Sequence, residues 1–125
     1  MGKKKIMIVD DEEFFLELTK LNLEHTGKYE VMTLPGAEDI IAKVREFNPD
    51  IILLDILMPG IDGVEACKML QKDAVGKKVP VITLTALDTN KDRSMMTNLG
   101  VADYLVKPIE KDELISKIEK VIHHK

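Results

Sequence analysis

Tryptophan is absent from this chain and aromatic residues make up only 4% of it, so any core must be built from Ile, Val, Leu and Met. A single cysteine, Cys67, excludes an internal disulfide and fits a reducing compartment such as the cytoplasm. No apolar run approaches the roughly 18 residues that a membrane span requires. The basic start Lys3-Lys4-Lys5 leads into Ile6 to Val9, which is too short for a signal-peptide core. Gly2 does not open a myristoylation motif, because Ile6 stands where Ser or Thr is needed. Positive charge is not in excess either. With 18 basic and 22 acidic residues, interspersed, the net charge of −4 argues against nucleic acid as a direct partner. No linker, repeat or low-complexity tract interrupts the 125 residues, so residues 1–125 are expected to form one soluble, cytoplasmic domain.

What is present is a rhythm of apolar runs and helical patterns. Ile6 to Val9 and Ile51 to Leu54 are apolar at consecutive positions, as strands covered on both faces are. Both end in acid: Asp10-Asp11-Glu12-Glu13 after the first, Asp55 after the second. A helix with an apolar side of Phe15, Leu18, Leu21 and Leu23 is expected to run to Gly27. Tyr29 to Leu34 reads as a weaker strand, and Pro35-Gly36 turns the chain into a helix from about Ala37 to Phe47, broken by Asn48-Pro49. Asp62 is placed to cap a helix from Val64 to Lys72. Val79 to Thr85, then Ala102 to Val106, complete the strands. Each precedes a helix, over Asn90 to Leu99 and Lys111 to His123.

Strand followed by helix, five times over, means a parallel sheet with helices on both faces. The most continuously apolar strands, the first, third and fourth, belong in the centre. That gives the flavodoxin-like doubly wound order 2-1-3-4-5, with a ligand crevice between strands one and three. Asp10, Asp11 and Asp55 then meet at one crevice, joined by Thr85 and Lys107 from neighbouring strand ends. Two unit charges ~5 Å apart at an effective dielectric of ~20 repel by about 3 kcal/mol, so three ionised carboxylates there call for a cation. An all-oxygen pocket with few protein ligands suits Mg²⁺ with retained waters.

The sequence V-D-D, L-L-D-x-x-M-P-x-x-D-G, T-A after the fourth strand and K-P after the fifth, at these spacings, resembles the receiver domain of two-component response regulators. The resemblance runs from about Lys4 to Ile122. It implies a phospho-accepting signalling domain without turnover of a small substrate. By this resemblance Asp55 is the phosphoacceptor for a phosphohistidine, and Asp11 and Asp55 bind Mg²⁺ directly. Asp10 then binds it through water and Leu57 through its backbone carbonyl. Lys107 and Thr85 contact the phosphoryl oxygens. Tyr104 matches the switch aromatic, and a cis bond is expected before Pro108. The implied partners are a sensor histidine kinase or phosphotransfer protein on one side. On the other is a downstream protein reading the surface of helix four, strand five and helix five, with phosphorylation-dependent dimerisation as one mode of readout. Met95 and Met96 on helix four suit either an adaptable binding surface or core filling.

Other readings stand beside this one. A flavin domain is disfavoured by the acidic crevice and by a first turn lacking a Gly-rich anion cradle. A haloacid-dehalogenase-like phosphatase would carry a second Asp where Leu57 stands. A degenerate receiver used as a scaffold would lack some of the acids, the hydroxyl or the amine, and all are present. Leu57 and Leu87, two residues past Asp55 and Thr85, are aliphatic. In the family that the chain resembles, these two positions tune hydrolysis of the acyl phosphate. Neither leucine can orient an attacking water, so the resemblance implies slow self-dephosphorylation. Cys67 reads as packing, and His25, His123 and His124 receive no role. The chain closes at Lys125 after the fifth helix, as a stand-alone receiver or one cut from a longer protein would.

Overall fold

The computed structural model describes residues 2–86 and 90–123, apart from the side chains of Asn90 and Asp92. Five parallel strands pair in the order β2-β1-β3-β4-β5, where β1 is Lys4–Val9, β2 Tyr29–Leu34, β3 Ile51–Asp55, β4 Val81–Thr85 and β5 Asp103–Val106. The helices between them are α1 (Glu13–His25), α2 (Ile40–Phe47), α3 (Gly63–Lys72), α4 (Asn90–Asn98) and α5 (Lys111–His123). The order deduced from the apolar runs is the one observed. It puts β3 and β4, buried throughout, and β1, buried from Ile6 to Val9, in the middle.

Alternation along each strand divides the core in two. Ile6, Ile8, Ile51, Leu53, Ile82, Leu84 and Leu105 pack under α1 and α5, while Met7, Val9, Ile52, Leu54 and Val81 pack under α2, α3 and the end of α4. By the same alternation Asp10, Asp55 and Lys107 continue the α1–α5 side, and Thr83, Thr85 and Tyr104 lie on the α4 side. The strands therefore deliver the charged groups to one crevice and the Thr83 hydroxyl to α4.

Element boundaries differ from the sequence reading where local chemistry intervenes. Helix α2 starts at Ile40 rather than Ala37, because a turn joins the Ile40 amide to the Ala37 carbonyl at 3.2 Å. It ends on Asn48 in the left-handed region at φ 54°, a conformation Asn tolerates, with its amide on the Val44 carbonyl at 2.8 Å. Strand β4 starts at Val81 rather than Val79. A short 3₁₀ turn over Gly76–Lys78 captures the Val79 amide, and Pro80 has no N–H for the ladder. The peptide bond before Pro108 is cis, as expected.

Helix α1 needs a larger correction. Its buried residues are Leu16, Thr19 and Leu23, whereas Leu18 and Leu21, expected to face the core, are exposed together with Phe14. At roughly 100° per residue Phe14, Leu18 and Leu21 fall on the side opposite Leu16 and Leu23. Apolar residues encircle this helix, so its sequence alone does not fix the inward face.

Asp62 caps α3 as anticipated: its side chain accepts the Glu65 amide at 2.9 Å. Replacing Asp62 by Ala should lower stability by about 1 kcal/mol. Urea unfolding would check this, and an unchanged midpoint would remove the cap from the account. Among the described residues no helix is long and apolar enough to cross a membrane.

Candidate functional site

Asp10 and Asp55 leave adjacent strands at the carboxyl edge of the sheet, and Asp11 follows Asp10 into the connecting loop. One carboxylate oxygen from each lies within 4.8 Å of the others. Asp10 is fully buried and Asp55 nearly so, while Asp11 is exposed at the mouth. Asp10 is held by the Glu12 amide, which donates to its Oδ1 at 2.8 Å, and Asp55 by the Leu57 amide, which donates to its Oδ1 at 3.2 Å.

The cation of the site comes from the far side of the sheet. The Lys107 amide donates to the Thr85 carbonyl at 2.7 Å, which anchors the residue beyond β5. Its ammonium then reaches Asp10 Oδ2 at 2.8 Å and Glu12 Oε1 at 2.8 Å, and it sits 3.7 Å from Asp55 Oδ2. The Phe15 ring faces it at 4.9 Å.

Burial and then the Asp10 charge push the Asp55 carboxyl up to about 6; Lys107 and the Leu57 amide oppose this, and Asp11 adds a smaller push upward. Burial alone would lower the Lys107 ammonium. Hydrogen bonds to Asp10 and Glu12 and the charges of Asp10 and Asp55 outweigh it and hold the group above the ordinary lysine range. All three acids offer oxygen, the donor set that Mg²⁺ takes, so these residues fit that ion.

Thr85 is buried at the end of β4 beside the strand that carries Asp55. Leu57 contributes its backbone to the pocket edge, and its side chain is 55% exposed. Leu87 lies outside the described residues. Tyr104 stands opposite Thr83 in the ladder, half-buried between Arg93 of α4 and Lys117 of α5, with ring distances of 5.9 and 5.4 Å. Met96 is buried and its sulfur accepts the Thr83 hydroxyl at 2.9 Å, so it fills the core rather than a surface. Glu12 and Phe15 were not singled out in the sequence as site residues. Their signal was only their place directly after V-D-D.

The family model of the response regulator receiver domain matches residues 6–119. The chain belongs to that family. The receiver is 36% identical over 119 residues, 95% of its length, to the alkaline phosphatase synthesis transcriptional regulatory protein PhoP of Bacillus subtilis. It spans only 48% of that relative, about half its length. Among solved structures it resembles the chemotaxis protein CheY4 of Vibrio cholerae at TM-score 0.89 and 26% identity, covering 96% of this chain and 99% of that one. A CheY-like receiver domain protein from Methanospirillum hungatei matches at TM-score 0.88 and 28% identity, covering 98% and 96%. Membership makes this a signalling receiver of a two-component system, a class that accepts phosphoryl groups and interacts with histidine kinases or phosphotransfer proteins and with downstream targets.

Proposed function

We propose that residues 1–125 act as one cytoplasmic receiver unit, phosphorylated on Asp55 by a phosphohistidine, rather than as a turnover enzyme. The observation that carries this reading is a buried carboxylate, Asp55, flanked by Asp10 and Asp11 within 4.8 Å and by a lysine ammonium at 3.7 Å. An Asp55 oxygen attacks phosphorus, a P–O bond forms, the P–N bond to imidazole breaks, and the released nitrogen is left to take up a proton. Lys107 neutralises charge on the transferred phosphoryl oxygens, and the Thr85 hydroxyl hydrogen-bonds one of them once the group is in place.

Asp11 and Asp55 would hold Mg²⁺ directly, Asp10 through water and Leu57 through its carbonyl. When bound, the ion supplies positive charge that relieves carboxylate repulsion and offsets the charge of the incoming group.

Thr85 and Tyr104 form the switch. Movement of the Thr85 hydroxyl toward the phosphoryl group opens space for the Tyr104 ring. Tyr104 is well sited to pass this on, because its ring contacts cations of both α4 and α5. The surface of α4, β5 and α5 would then change its affinity for a downstream protein or for a second copy. The exposed stripe of Phe14, Leu18 and Leu21 begins beside the acid pocket and suits docking of the phosphodonor protein.

Intact-mass spectrometry after acetyl phosphate and Mg²⁺ tests the central claim. The unaltered protein should gain one phosphoryl group and Asp55→Asn none. An adduct on both proteins, or on neither, overturns it. The exposed, apolar Leu57 side chain offers nothing to orient an attacking water, so the aspartyl phosphate should persist. Leu57→Asn should hydrolyse it several-fold faster, measured as decay of the adduct mass; an unchanged decay rate removes Leu57 as the determinant.

A further inference from the structure

Lys107 is spread over more partners than its role requires. An ammonium has three donors. Two are engaged, by Asp10 and by Glu12, each at 2.8 Å, and Asp55 stays beyond hydrogen-bond reach at 3.7 Å. Glu12 is itself fixed, since its amide is bonded to the same Asp10 carboxylate. Its side chain does not cap α1, although Glu12 stands at the cap position. Its carboxylate thus has no helix-terminus duty and is turned to Lys107, the residue just beyond β5. Phe15, on the first turn of α1, closes the side of the ammonium that its ring faces.

We infer that Glu12 is a positioning residue that parks the Lys107 ammonium away from Asp55 until a phosphoryl group arrives. This rests on the reading of Asp55 as phosphoacceptor. For Lys107 to bring its third donor to the new phosphoryl oxygens, the ammonium must shift from its place 3.7 Å from Asp55, and that lengthens one of its two bonds. Asp10 is 0% exposed, and without the ammonium its buried charge would keep only the Glu12 amide. The Glu12 side chain is 63% exposed, so water replaces the ammonium there at little cost. Glu12 is the partner that yields. Parting it from Lys107 is a share of the barrier to phosphorylation that a neutral residue would not impose.

The test is the rate of adduct formation from acetyl phosphate with Mg²⁺, where acetate leaves as the Asp55–phosphorus bond forms. Glu12→Gln should speed it roughly two- to five-fold, the range that release of an exposed ion pair corresponds to. Glu13→Gln removes the same charge one residue on, where the structure records no contact with Lys107, and should leave the rate unchanged. In a Lys107→Met background Glu12→Gln should have no effect. An unchanged or slower Glu12→Gln protein overturns the inference, as does an equal gain in Glu13→Gln or a gain that survives loss of Lys107. A second readout needs no phosphorylation. The ¹⁵N resonance of the Lys107 ammonium should move in Glu12→Gln and stay put in Glu13→Gln, and a resonance that moves in neither overturns the parking. If the unaltered protein takes up no phosphoryl group, the functional reading fails, and the resonance still decides whether Glu12 holds the lysine.

Discussion

Asp55→Asn will make the metal-free protein more stable at neutral pH, even though the substitution removes the residue on which the site depends. Burial and the Asp10 charge raise the Asp55 carboxyl from 3.8 to about 6, so in the folded state its ionised form is disfavoured. The folded value lies above the unfolded one. The native state therefore binds the proton more tightly, and the stability penalty is fully present above about 6. It fades as the pH falls through 6 toward 4. At about 1.4 kcal/mol per unit the penalty at pH 7 is roughly 2–3 kcal/mol, several degrees in a melting curve for a chain of this size. The advantage of Asp55→Asn should accordingly be large at pH 7, shrink at pH 5, and shrink again at pH 7 when Mg²⁺ is added to both proteins. Thermal melts at the two pH values, with and without metal, check all three. An advantage that grows on acidification would show that repulsion in the acid pocket is not its source.

Gly63→Ala should be among the most damaging small substitutions in the chain. A β-carbon at Gly63 would collide with the Asp55 carbonyl oxygen and stand 2.6 Å from the Ile56 Cα, both backbone atoms that no rotamer change can move aside. The Gly63 amide also donates to the Ile56 carbonyl at 2.9 Å, so α3 begins in direct contact with the end of β3. The gain in helix propensity from Ala is at most about 1 kcal/mol. Overpacking against fixed backbone costs about 3 kcal/mol or more, and it wins. The relief available is to push α3 away from Asp55, the residue proposed as phosphoacceptor. Phosphoryl uptake should therefore fall even where Gly63→Ala remains folded. Urea unfolding together with adduct formation measures both losses, and a variant of unaltered stability would refute the close approach.

These two expectations differ in what the sequence offers. The acid pocket was legible, because Ile6 to Val9 and Ile51 to Leu54 are apolar at every position, as suits central strands in a strand-helix alternation, and each is followed by Asp. The cis bond before Pro108 and the Asp62 cap were legible on the motif they belong to. The Gly63 contact was not, since a glycine directly after the Asp62 cap says nothing of what the missing side chain would meet. The inward face of α1 was hidden for another reason. Its apolar residues surround the helix, and the sheet selects Leu16, Thr19 and Leu23 by geometry that no local pattern encodes. Glu12 was one acid in a run of four, and nothing local told that its carboxylate meets Lys107 95 residues along the chain. Met96 was ambiguous between surface and core until its sulfur was found on the Thr83 hydroxyl.

Cys67, the chain's one thiol, is 3% exposed, and burial pushes it up to about 11. Thiol-directed dyes and spin labels at neutral pH will pass it by, because they react with exposed thiolate. A cysteine introduced at an exposed position of α4 or α5 would then be the sole point of attachment, without any need to engineer out the native residue. The receiver is in that sense already prepared as a single-label reporter, on which the proposed phosphorylation of Asp55 can be tested for any movement of α4 relative to the sheet.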